Sequence, residues 1–168
     1  RWAGRVASVL RTASPSTAVR GLPREPGRRA APPVPVTTDE VRELAREALA
    51  EPVAVLRLAP AVDPYPVLVA AAERGPILLV APQVGTARRL GIRLRRAGLP
   101  VAVLPDDWSL ARAGWASAVG ARAAAWAPIE NPAAIVVLDE HDESLQQEQA
   151  PTWHARDVVL ERARRAGV

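Results

Sequence analysis

The stretch Ile135-Val136-Val137-Leu138-Asp139-Glu140-His141-Asp142 decides the fold class of this chain. Its four apolar residues have the length and composition of a buried parallel strand. Polar residues at the carboxyl end of such a strand lie where α/β sheets bind ligands. In nucleotide hydrolases an Asp at this place holds Mg²⁺ and a neighbouring residue orients water. Asp139, Glu140 and His141 are therefore the candidate catalytic residues.

On either side of this stretch, short apolar runs alternate with segments of helical periodicity. The predicted strands are 53–58, 77–81, 101–104, 123–126 and 135–138. The predicted helices are 1–12, one that opens at 37–40, 67–73, 86–97, 109–119 and 153–165. This alternation predicts βαβ units and an α/β fold, a parallel sheet flanked by helices. With right-handed crossovers, the loops 59–66, 82–86 and 139–142 are expected to meet at one edge of the sheet.

The positive charge of the chain is concentrated at its start. Residues 1–36 carry seven Arg and one acid, whereas the remainder carries fifteen Arg and seventeen acids. Six prolines within 13–36 are typical of a linker. We predict an N-terminal segment at 1–12, a Pro/Arg-rich linker at 13–36 and one domain at 37–168. The basic linker either lies on phosphates or is simply solvated.

Composition excludes several classes of protein. The chain of 168 residues has no Cys, so it offers neither disulfides nor a thiolate zinc site, and two His without a further ligand predict no metal site. No apolar run approaches the roughly 20 residues of a membrane helix. We expect a cytoplasmic protein without a membrane partner. The absence of Met indicates a fragment of a longer chain.

The loop after the first predicted strand does not look like a phosphate-binding loop. Such a loop needs glycines, a Lys and a Ser or Thr. Residues 59–66 contain none of these but hold three prolines, which lack a backbone N–H, and one Asp, which would repel phosphate. We therefore predict that no cofactor binds here.

Two groups of basic and aromatic residues are candidates for nucleic-acid contact. Five arginines crowd the helix 86–97, and Arg89, Arg93 and Arg96 share a face by spacing. They either contact a nucleic-acid backbone or form an exposed helix face. Trp153 and Arg156 belong to a second group, in which the indole either stacks on a base or packs internally.

Several segments resemble, in order, motifs of the replication-restart helicase family of primosomal protein N′ (PriA). Residues 137–148 (VLDEHDESLQQE) look like its motif II, and 150–158 (APTWHARDV) are similar to its AP-x-Y-H-A-R-D-V signature. Residues 120–128 (GARAAAWAP) resemble its G-T-R-S-A-L-F-x-P motif, and 79–85 (LVAPQVG) its L-V-P-E-I-G motif. Residues 2–4 with 9–11 look like the end of its N-terminal DNA-binding region.

The resemblance implies a RecA-like, P-loop NTPase-like first helicase lobe, incomplete at its C-terminal end. Family members are ATP-dependent helicases, so ATP with Mg²⁺ is the implied cofactor, and the zinc ligands are expected outside this chain. The implied partners are forked DNA and primosome and replisome proteins. The residues we expect to contact DNA are Arg89, Arg122, Trp153 and Arg156.

Three departures from the family pattern shape the expected function. Nothing matches the Walker A loop, the family's D-E-E-H places Leu138 at the metal-binding Asp, and Leu145 replaces the Tyr of the aromatic loop. A one-residue shift would instead make Asp139 and Glu140 the acidic pair. The chain looks like the actinobacterial-type branch with degenerate motifs. We expect a replication-restart protein without helicase activity, whose lobe is a scaffold. The alternatives are an active 3′-to-5′ helicase and a protein-interaction module of the primosome.

Overall fold

The computed structural model describes residues 6–25 and 39–168. The helices there are α1 (Val6–Thr12), α2 (Asp39–Ala48), α3 (Tyr65–Ala72), α4 (Val84–Arg96), α5 (Trp108–Arg112) and α6 (Ala155–Ala166). The strands are β1 (Ile77–Val80), β2 (Val101–Val103), β3 (Ser117–Gly120), β4 (Ala134–Val137), β5 (Gln146–Gln147) and β6 (Trp153–His154). Two 3₁₀ helices span Arg122–Trp126 and Glu143–Leu145.

Four parallel strands form the central sheet, in the order β2-β3-β1-β4. Strand β1 lies inside the sheet, where Val80 is in register with Gly120 of β3 and Val137 of β4. All four residues of β1 are buried, as expected of a parallel strand covered on both faces. The fold is α/β with a parallel sheet flanked by helices, as the sequence predicts, and is consistent with a RecA-like lobe.

Successive residues of β1 point to opposite faces of the sheet and contact different helices. Leu79 packs in a cluster with residues of α3 and α4, whereas Leu78 and Val80 pack in a cluster with residues of α5 and α6. Helix α2 packs on α3 outside the first cluster. The chain therefore forms three layers, with the sheet between two layers of helices.

Three predicted elements differ from the structure. The segment 53–58 is not a strand, because no described strand pairs with it, and Val53 and Val55 remain 68% and 77% exposed. The helix predicted at 109–119 ends after Arg112, since Gly114 adopts φ +84° and the chain then enters β3. Residues 123–126, predicted as a strand, lie in a 3₁₀ helix, because alanine favours helical backbone.

The domain boundaries at 12 and 36 stay predictions, and residues 1–5 and 26–38 lie outside the described part of the chain. Thr37 and Thr38, the first residues of the helix predicted to open at 37–40, also lie outside it. The described part of the predicted linker contacts the lobe, since Val19 packs against the cluster under α5. No helix in 6–25 and 39–168 is long and apolar enough to cross a membrane.

Gly91 allows α4 to approach the sheet closely. A Cβ added there would lie 2.7 Å from Cγ2 of Val103 and from Cγ2 of Val119. We expect Gly91→Ala to lower the free energy of unfolding by about 1–2 kcal/mol, because overpacking outweighs the gain in helix propensity. Urea denaturation measures the change.

Gly85→Ala is the matched control on the same helix. The nearest atom to its added Cβ is the Arg89 Nη1 atom at 3.8 Å, so this variant should be as stable as the wild type or more stable. Equal stability of both variants would show that α4 does not pack this closely.

Candidate functional site

Of the three loops predicted to meet at the carboxyl edge of the sheet, 82–86 is contacted there by the segment that follows β4. The Leu138 N–H donates to the Val80 carbonyl at 2.9 Å, which extends the β1–β4 ladder by one residue. The Ser144 hydroxyl donates to the Pro82 carbonyl at 3.0 Å. The third loop, 59–66, is held elsewhere: Asp63 forms an ion pair with Arg93, in the last turn of α4.

The chain turns sharply after Leu138, directly at the predicted acidic site. Asp139 adopts φ +45° in the left-handed region, which Asp tolerates better than most residues, and its carbonyl accepts the Asp142 N–H at 2.8 Å. The Asp142 carboxylate accepts the Ser144 N–H at 2.8 Å and so caps the following 3₁₀ helix. Hydrogen bonds from Ser144 lower the pKa of Asp142.

The residue that directly follows β4 is Leu138, an apolar residue rather than an acid. Leu138 packs against the cluster containing Tyr65 and Leu68 of α3, whereas Val137 packs on the opposite face. Asp139 is exposed. Among residues 6–25 and 39–168, no group of three or more His, Cys, Asp or Glu is arranged to hold a metal ion.

Glu140 and Arg156, predicted separately as catalytic and DNA-binding residues, form one ion pair. Arg156 Nη1 lies 2.8 Å from Glu140 Oε2, and Arg156 Nε lies 3.4 Å from Asp157 Oδ1. The Glu140 carboxylate, followed by that of Asp157, raises the pKa of Arg156. His154 Nδ1 accepts the Arg156 N–H at 3.1 Å and caps α6. His141 is exposed.

Arg122 holds the loop after β4 through backbone carbonyls. Its Nη1 donates to the carbonyls of Ser144 at 3.2 Å and Gln146 at 2.5 Å. Its guanidinium carbon lies 6.0 Å from the ring centroid of Trp153, and Trp126 meets Trp153 edge-on at a centroid distance of 5.5 Å. The structure thus brings Arg122 and Trp153 together, beside the short β5–β6 pair that the sequence did not predict.

The arginines of α4 differ in whether a carboxylate neutralises them. Arg88 pairs with Asp106 at 2.9 Å, Arg93 with Asp63 at 2.7 Å, and Arg95 with Asp107. Among the described residues, Arg89 and Arg96 have no such partner; Arg89 donates to the Thr86 hydroxyl at 3.1 Å. Ion pairing of Arg93 therefore interrupts the predicted face of Arg89, Arg93 and Arg96.

Loop 59–66 is fixed by a compact set of contacts around Arg93. The guanidinium lies 4.0 Å from the centroid of the Tyr65 ring, and the Tyr65 N–H donates to Asp63 Oδ1 at 3.0 Å. The hydrogen bond from Arg93 is the main cause that lowers the pKa of Asp63, and burial raises the pKa of Tyr65. The Asp63 carboxylate therefore contacts α4 through Arg93.

The Asp63–Arg93 pair should be visible in the pH dependence of stability. Folding lowers the pKa of Asp63 below 3.8, so the ionised carboxylate stabilises the folded state above about pH 4. This stabilisation is lost as the pH falls through the pKa of Asp63 in the folded state. Both side chains are partly exposed, so Asp63→Asn should cost only about 0.2–1 kcal/mol at pH 7. Urea unfolding from pH 7 to pH 2 should show the difference between variant and wild type shrinking at low pH. Parallel curves would contradict an ionised Asp63.

Part of this chain is similar in sequence to replication restart proteins. No protein-family model matches the chain. It is 36% identical over 73 residues to the replication restart protein PriA of Bacillus subtilis, covering 43% of this chain and 9% of that protein. It is 34% identical over 99 residues to the replication restart protein PriA of a Synechocystis species, covering 52% of this chain and 12% of that protein. The chain thus spans about a tenth of the length of these relatives, and the similarity supports a PriA-related protein.

Proposed function

We propose that this chain is part of a replication-restart protein that recognises forked DNA and promotes reloading of the replisome, with a lobe that serves as a scaffold rather than a motor. The observation that carries the proposal is the position of Leu138 directly after β4, where it packs against the apolar cluster that contains Leu68 of α3 and Leu79 of β1. A metal-binding acid is expected at that place in a working nucleotide hydrolase. The degenerate, actinobacterial-type branch of the PriA family is the assignment that fits this feature.

The loop 59–66 supports the same proposal. Pro60, Pro64 and Pro66 remove three backbone donors from the segment that stands in place of the family's Walker A loop. The Asp63 carboxylate forms an ion pair with Arg93, which holds this loop at α4. The proposal therefore includes weak or absent binding of ATP and no helicase activity.

Nucleotide titration by calorimetry on the full-length protein tests the scaffold proposal. We expect no micromolar affinity for Mg-ATP, and micromolar affinity would contradict the proposal. Strand displacement with ATP tests the first alternative, an active 3′-to-5′ helicase. If Asp139 replaced the missing acid, displacement would be measurable and Asp139→Asn would abolish it.

Binding of forked DNA tests the DNA part of the proposal against the second alternative, a protein-interaction module. Arg89 has no carboxylate partner in the described part of the chain, so Arg89→Ala should weaken fork binding and reduce the salt slope by roughly 0.7–0.9 for one lost phosphate contact. Arg95→Ala is the matched control on the same helix, because Asp107 already pairs with Arg95. Absence of any salt-dependent fork binding would favour the interaction module.

Arg122, Trp153 and Arg156 belong to the proposed DNA-binding surface in different ways. Arg122 fixes the loop 144–146 and adjoins Trp153, whose half-buried ring is the candidate for base stacking. Arg156 is paired with Glu140 in the structure and would have to exchange that partner for a phosphate. Primosome and replisome proteins are the proposed partners, and the proposed location is the nucleoid.

A further inference from the structure

The segment 13–25, within the predicted linker, contacts the lobe at two points and lines an open cavity with it. Val19 packs on the core cluster that contains Trp108, and Trp115 Nε1 donates to the Pro23 carbonyl at 3.4 Å. Between the segment and the loop that follows β2 lies a cavity of about 300 Å³. The side chains that define its chemistry are Ser16, Thr17, Arg20, Asp106, Trp108 and Ser109.

The lining of this cavity matches the chemistry of a phosphate group. Arg20 provides a planar set of N–H donors that fits phosphate oxygens, and three hydroxyl groups add further donors. Arg, Ser and Thr are the side chains that commonly contact phosphates in nucleic-acid complexes. A volume of about 300 Å³ is at the lower end of ligand cavities, which favours a small polar group.

One carboxylate lines the cavity and would oppose an anion. Asp106 Oδ2 lies 2.9 Å from Nη2 of Arg88, so its charge is compensated by a second arginine beside the cavity. Arg20 has no carboxylate partner among the described residues and is exposed. The guanidinium of Arg20 therefore leaves a net positive charge at the cavity for an anionic ligand.

We propose that this cavity, here named the strap cavity, binds a phosphate group of the nucleic-acid backbone through Arg20 and the surrounding hydroxyls. The proposal rests on the proposed function as a DNA-binding protein. The basic segment 13–25 would then contact DNA at a defined point beside β2, the strand at one edge of the sheet. Free phosphate shares this chemistry and is distinguished from DNA by the test.

Fork binding by the full-length protein, measured by fluorescence anisotropy over a series of salt concentrations, is the first arm of the test. Arg20→Ala should weaken binding by about 3–10-fold and reduce the salt slope by roughly 0.7–0.9. Thr17→Glu, which adds a carboxylate to the cavity, should weaken binding at least as much. Arg24→Ala is the matched control, because Arg24 is exposed on the same segment but does not line the cavity. Equal losses for Arg20→Ala and Arg24→Ala would overturn the proposal.

Titration of this chain with inorganic phosphate, followed by the amide resonances of residues 16–20, is the second arm. Shifts that disappear in Arg20→Ala, together with weaker fork binding, would support the proposal. Resonance shifts without any loss of fork binding would show that the strap cavity binds free phosphate, and would contradict binding of the nucleic-acid backbone there. If neither the resonance shifts nor the loss of fork binding is observed, the proposed phosphate site is wrong. A wild-type protein that binds no fork would instead contradict the proposed function, and the phosphate titration would still decide the cavity.

Discussion

Replacing Leu145 with alanine is expected to lower the free energy of unfolding by about 2–5 kcal/mol, the usual cost of truncating a fully buried leucine. Leu145 closes the 3₁₀ helix after the acidic turn, is 0% exposed, and packs in the core cluster with Leu78 and Val159. It is the one buried residue of that 3₁₀ helix, so it anchors the loop after β4 to the sheet. Its truncation should leave a cavity and release the loop.

Two measurements check this expectation. Urea denaturation gives the loss of stability, and hydrogen exchange should show faster opening of residues 139–147 than of β1. Leu145→Met, which nearly conserves volume, should cost less than about 1.5 kcal/mol. Leu160→Ala is a second control, because Leu160 of α6 is 43% exposed and its truncation should cost little. An unchanged unfolding midpoint for Leu145→Ala would show that the loop is not anchored by this side chain.

Leu145 also determines how the loop after β4 is held on the sheet. A buried leucine makes the loop part of the core and attaches it to the carboxyl edge of the sheet. Arg122 reinforces this through the carbonyls of Ser144 and Gln146. Two independent contacts thus hold the loop, which is consistent with the proposed scaffold role.

The sequence predicted those parts of the fold that a local apolar pattern determines. β1, β2, β4 and α4 were all predicted within a few residues, because each combines an apolar run or a helical period with a Gly or Pro near at least one end. The segment 53–58 has the same apolar composition but lacks a partner strand in the described chain, and strand formation depends on that partner. β3 was not predicted as a strand. Its residues Ser117-Ala118-Val119-Gly120 are small, and their burial depends on the neighbouring strands.

The sequence predicted where the candidate site lies but not how its charges pair. The acids after β4 are at the carboxyl edge of the sheet as expected, since strand direction alone places them there. The pairing of Glu140 with Arg156, and of Asp63 with Arg93, joins residues 16 and 30 positions apart that no local motif connects. Local spacing predicted a continuous basic face on α4, whereas carboxylates from other loops neutralise three of its five arginines.

Arg162 carries the second large expected effect, because it supports the backbone on which the candidate site is built. Its Nη1 donates to the Ala125 carbonyl at 2.6 Å and its Nη2 to the Ile129 carbonyl at 3.2 Å. Burial lowers the pKa of Arg162, yet an arginine remains charged. One side chain of α6 therefore fixes the chain between the 3₁₀ helix after β3 and the start of β4.

Arg162→Met is expected to lower the free energy of unfolding by about 2–3 kcal/mol, because two carbonyls lose charged donors while much of the apolar stem is retained. Arg162→Lys should cost less, since an ammonium keeps the charge but cannot donate to both carbonyls with the same planar geometry. Arg164→Ala is the matched control on α6: its pair with Glu161 is exposed, so its removal should change stability by less than about 1 kcal/mol. Urea denaturation of the three variants gives the order directly. If Arg162→Met were as stable as Arg164→Ala, the two carbonyls would be satisfied without the guanidinium, and α6 would pack on the sheet through Val159 and its apolar neighbours alone.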